Sequence, residues 1–158
     1  MLQALADLLS ALPSSSLLAR SATLYALVNA AHILGVCLIL GAVIPLDLRL
    51  IGVLRGPSLV VIGPFLSHVA AAGVMIAVLT GLALISVRPA EYLANPALRW
   101  KMFLIMIALV NVAVVHFSDG WRRAISGGRI VTGLRIGGAV SLSAWLAALV
   151  AGRMIGFL

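Results

Sequence analysis

The sequence predicts an all-α fold: a four-helix transmembrane bundle with a short amphipathic helix at its N-terminus lying along the membrane interface. Three observations predict it. Of 158 residues, 63% are hydrophobic and only 9% charged, at a mean hydropathy of +1.22, whereas soluble domains are about half apolar and about one quarter charged. Four long uncharged stretches each approach the roughly 20 apolar residues that a helical crossing needs. The basic residues, 11 Lys and Arg against 4 acids, punctuate the ends of these stretches as membrane-flank charges, so the net charge of +7 does not point to nucleic acid. Soluble, disordered and disulfide-scaffold classes are excluded, and the single cysteine, Cys37, has no partner in the chain.

The elements follow in order. Leu2, Leu5, Leu8, Leu9 and Leu12 share one helical face, in a segment too short to cross and expected to end at Pro13 and Ser14 to Ser16. With Asp7, no basic residue and no small-residue cleavage site, it reads as part of the mature chain. Spans are expected at about 21–46, 58–87, 99–118 and 136–154, in one integral membrane domain. Pro57, Gly63 and Pro64 blur the start of the second, while Asn95-Pro96 reads as the cap and first residue of the third. Residues 89–98 suit a short interfacial turn of helix. Strands are excluded because lipid offers their backbone groups no partners.

Four crossings put both termini on one side, with the loop holding Arg88, Arg99 and Lys101. Arg49, Arg55, Arg122, Arg123, Arg129 and Arg135 lie opposite, and six against five lean those loops toward the cytoplasm. Gly73, Ala77 and Gly81, and again Ala144, Ala148 and Gly152, recur every fourth residue. Such stripes let helices approach within one bundle, or serve as a homodimer face.

Polar groups inside lipid call for a partner or a function. They are Asn29 and His32 in the first span, His68 in the second, and Asn111 and His116 in the third, so all 3 histidines are in spans. Counted from the span centres, with the third taken over its uncharged stretch 102–118, His68 lies about 7 Å and His116 about 9 Å toward the same end, and His32 about 2 Å the other way. Two imidazoles at one depth on facing helices suit the axial positions of a b-type haem. Arg49, Arg55, Arg122 and Arg123 would then lie near its propionates. A copper site drawing on Met75, Met102 or Met106 is an alternative, as are plain packing and hydrogen-bonding roles for the histidines. Asp47 is expected to form an ion pair with the arginines of the third loop. Trp100 and Trp121 suit the interface, whereas Trp145 lies well inside the fourth span, in packing or against a ligand. No nucleophile triad, phosphate loop or carboxylate pair occurs, so no enzymatic activity is assigned.

Ala31-His32-Ile33-Leu34-Gly35, Asp47-Leu48-Arg49-Leu50-Ile51-Gly52, Asn95-Pro96, Lys101-Met102, Asn111, His116-Phe117, Ser141, Trp145 and Gly152-Arg153 together resemble an uncharacterised family of small bacterial four-helix inner-membrane proteins. That resemblance implies the fold and a bacterial inner-membrane location. The first-helix His-x-x-Gly and the lysine opening the third helix are more distantly similar to four-helix bacterial protoporphyrinogen oxidases and to membrane domains of the copper-resistance protein D family. The former implies haem, with His32 and Lys101 at the functional positions, and the latter copper. Three roles are thus expected: an electron-transfer or haem-handling component, an accessory subunit of a larger membrane complex, or a small transporter or copper-handling protein.

Overall fold

The computed structural model describes residues 2–11 and 13–157. Every regular element among them is a helix: α1 (Leu2–Ser10), α2 (Pro13–Arg20), α3 (Ala22–Ile51), α4 (Leu59–Ile85), α5 (Pro89–Ala94), α6 (Pro96–His116), α7 (Asp119–Ile125) and α8 (Thr132–Met154). Helices α3, α4, α6 and α8 are long and apolar enough to cross a membrane. They carry Leu27, Phe65, Met106 and Val114 exposed on their outer faces. Such surface belongs against hydrocarbon rather than water.

Three boundaries differ from the sequence expectation. Helix α3 continues past residue 46, through Pro45 and the charged Asp47 and Arg49, to Gly52. Gly52 ends it in the left-handed region (φ 99°), its N–H donating to the Leu48 carbonyl, a conformation that glycine adopts without penalty. Pro13 opens a second N-terminal helix instead of closing the first, because proline is tolerated where a helix has no carbonyl to receive its missing N–H. The third loop folds as α7, which Ser118 caps by accepting from the Trp121 N–H at 3.1 Å.

The spans pack as an arc. α4 runs along α3, α3 against α8 and α8 against α6, while α4 and α6 scarcely approach each other. Glycine sets the first of these contacts: a Cβ on Gly73 would lie 2.8 Å from the Gly35 carbonyl oxygen and 2.9 Å from the Ile39 nitrogen. The Gly73, Ala77, Gly81 stripe thus faces α3 of the same chain, with His32 over Gly81. Ala144 and Ala148 are buried and Gly152 lies under Lys101. Both stripes are covered within one chain.

One end of the bundle gathers α1, α2, α5 and the C-terminal turn. Ser14 meets Ser86 at 3.3 Å, Tyr25 meets Tyr92 at 3.4 Å, and Asn95 donates to the Ile155 carbonyl at 3.2 Å. At the other end α7 lies across the helix termini, burying Trp121 and Ala124 with Leu46, Leu50, Leu59, Val115 and Leu134. A second apolar cluster, Ile39, Val43, Ala108, Ala144 and Trp145, fills the middle.

Candidate functional site

Along the inner face of α8, Gly137, Ser141 and Trp145 follow at four-residue steps, about 6 Å apart and on one side of the helix. Each takes a different role. The Gly137 carbonyl accepts from Asn111 Nδ2 of α6 at 2.9 Å. α6 comes this close because a Cβ at Gly137 would lie 2.5 Å from Val115 Cγ2. Ser141 is buried close to the Asp47 carboxyl of α3. Trp145, 7% exposed, is packed in the central apolar cluster and borders the gap between the spans.

That gap is a cleft of about 310 Å³. Apolar side chains of α3, α4 and α6 make most of its wall, among them Val43, Val74, Leu109 and Val112, and Asp47, Ser67, Asn111, His116, Ser141 and Trp145 supply the polar groups. Two buried polar atoms have no hydrogen-bond partner among the described residues: Asp47 Oδ2 and Trp145 Nε1. Asp47 is 4% exposed and has no ion-pair partner among the described residues. The ion pair expected between Asp47 and the third-loop arginines therefore does not form. Arg122 pairs instead with Asp119, Arg123 Nε donates to the Asp119 carbonyl, and Arg49 Nε to the Pro57 carbonyl. The guanidinium of Arg122 beside Asp119 holds that exposed carboxyl below the usual carboxylate range.

The open side of the cleft lies where α4 and α6 diverge. Ala71 and Met75 line it and are exposed on the outer face of α4. At the α7 end the seam is clasped: Ser67 Oγ lies 2.9 Å from His116 Nε2. His116 Nδ1 reaches the Val112 carbonyl at 3.0 Å, and its ring packs on Trp121 at 4.4 Å between centroids. The Ser67 hydroxyl also lies 2.7 Å from the Gly63 carbonyl, so its one proton is shared between that oxygen and the imidazole.

Of the residues singled out in the sequence, the cleft takes His116, Asp47, Asn111, Ser141, Trp145 and Met75. His68 points outward and bonds the Pro64 carbonyl of its own helix at 2.7 Å. His32 lies toward the other end, its Nδ1 3.0 Å from Thr80 Oγ1, while Thr80 donates to the Ile76 carbonyl at 2.6 Å. Lys101, half-buried over Gly152, faces that histidine electrostatically. Asn29 and Cys37 are on the outer surface, as are Met102 and Met106. Arg55, Arg122 and Arg123 are exposed at the α7 end. Ser67 carried no signal in the sequence, being one small polar residue in a stretch already broken by Pro64.

Fold and site together define a multi-pass α-helical membrane protein with a cleft between its spans. No known protein family, curated protein or solved structure matches the chain.

Proposed function

We propose that this protein binds a small lipid-soluble molecule, an apolar body with a polar head, in the cleft between α4 and α6. One observation carries the reading: on two residues that line an apolar cavity, the polar atoms Asp47 Oδ2 and Trp145 Nε1 are buried with no hydrogen-bond partner among the described residues. Each such atom costs about 1–3 kcal/mol, and in lipid no bulk water offsets it. A ligand head that meets both would. The apolar wall and the divergence of α4 from α6 fit entry from the hydrocarbon. The expected home is a bacterial inner membrane, with both termini on one side.

A b-type haem does not fit the donors as they stand. Ligation by His68 and His116 would require α4 to turn by about 100°, one residue's rotation, because Ser67 and not His68 faces His116. His116 would also have to leave Ser67 and Val112. Copper fares no better, since Met102 and Met106 lie outside and no three His, Cys, Asp or Glu residues cluster among the described residues. An accessory role would use the outer helix faces, which lipid covers equally well.

The test is to purify the full chain, extract it with organic solvent and identify what is released. A lipid-soluble molecule near equimolar with protein is expected, and its loss from Ala71→Phe, which fills the cleft mouth. The same extract from both proteins overturns the proposal.

A further inference from the structure

Resting on the cleft reading, we infer that the ligand's polar head is a neutral hydroxyl, seated between Asp47 Oδ2 and Trp145 Nε1. The indole N–H can only donate, so the head must offer an acceptor. The Asp47 oxygen needs a donor if ionised and an acceptor if protonated. A hydroxyl answers either state while accepting from Trp145, and it does so with one atom. Both residues line the one cleft, and Ser141, close to the Asp47 carboxyl, is one helical turn from Trp145 on the same face of α8.

Other heads leave something unanswered. A carboxylate would face Asp47 in a cleft whose wall contains no lysine or arginine. An ammonium would satisfy Asp47 but direct its charge at the positive end of the indole N–H. A simple hydrocarbon meets neither atom. The size agrees with a ring or a prenyl unit: a dry apolar cavity of about 150 Å³ takes up benzene, and this one has about 310 Å³ with an open side for a tail. Phenolic rings, including quinols, and isoprenoid alcohols share this chemistry.

The full chain in lipid nanodiscs is titrated with four tritiated probes, with binding to empty discs subtracted: 4-nonylphenol, farnesol, nonylbenzene and nonylammonium. Saturable binding of 4-nonylphenol or farnesol at least tenfold tighter than nonylbenzene is expected, and the tighter of the two names the source. Trp145→Phe keeps an aromatic ring but removes the indole N–H together with the pyrrole ring, so it should weaken the hydroxyl probe about five- to tenfold relative to its effect on nonylbenzene. Asp47→Leu should do the same. Equal binding of hydroxyl probes and nonylbenzene, tightest binding of the ammonium, or no effect of Trp145→Phe overturns the hydroxyl head while leaving the cleft intact. Binding of none of the four overturns the cleft reading as well.

Discussion

Ser67 Oγ and His116 Nε2, 2.9 Å apart, make the side-chain bond that closes the seam between α4 and α6. Elsewhere these two spans scarcely approach. Ser67→Ala should therefore lower stability by about 1 kcal/mol, whereas His68→Ala, one residue on but turned outward, should stay within about 0.5 kcal/mol. Reversible unfolding of the full chain in lipid measures both. A loss at His68 equal to that at Ser67 would mean that the second span is rotated from the arrangement described.

This pair also marks where sequence reasoning stopped. The depth estimate put residue 68 level with residue 116, and the bond between residues 67 and 116 shows that the level was legible from span lengths and helical rise. Which side chain of α4 faces inward was not. A soluble helix shows its inner face by its apolar stripe, but α4 and α6 are apolar all round, so neighbouring residues differing by about 100° read alike. The spans themselves were legible because 20-residue hydrophobic runs have few other uses. Asp47 was misread for a related reason: a charge near a span end suggests the interface, yet α3 outlasts it by another turn and takes it inside.

The close approach of α3 and α4 makes a second expectation. Gly73→Ala would drive a methyl group to within 2.9 Å of two backbone atoms, the Gly35 oxygen and the Ile39 nitrogen. Backbone gives way poorly, so the variant should lose about 1–3 kcal/mol. Gly41→Ala is the matched control, because a Cβ there meets nothing within 4 Å. Equal thermal midpoints for the two variants would show that the small-residue stripe does not set the spacing of these helices.

A third concerns the carboxyl in the cleft. Groups kept for binding often reduce stability, and Asp47 Oδ2 is buried without a partner. Asp47→Leu removes that oxygen and places apolar volume beside an existing cavity, so the thermal midpoint should be unchanged or higher. Asp47→Asn should hold its midpoint too, since the amide is uncharged and nearly the same size and shape. A fall of many degrees in both variants would identify Asp47 as a structural residue of the bundle and remove it from the site.

The last expectation tests how α5 docks, well outside the spans. The hydrogen bond that the Tyr92 hydroxyl donates to Tyr25, reinforced by burial, pushes that hydroxyl up to about 12, against about 10 for a free tyrosine. The folded chain then holds this proton where the unfolded chain has released it. Stability should therefore be at its full value below pH 10 and fall as pH rises from about 10 toward 12. The chain has only 2 tyrosines, so Tyr25→Phe leaves Tyr92 as the sole phenol absorbing at the tyrosinate wavelength. In that variant its titration should move down toward the ordinary range, because the larger of the two causes is gone. A titration of Tyr92 that does not move on removing Tyr25 would show that the 3.4 Å contact between the two hydroxyls does not hold α5 against α3.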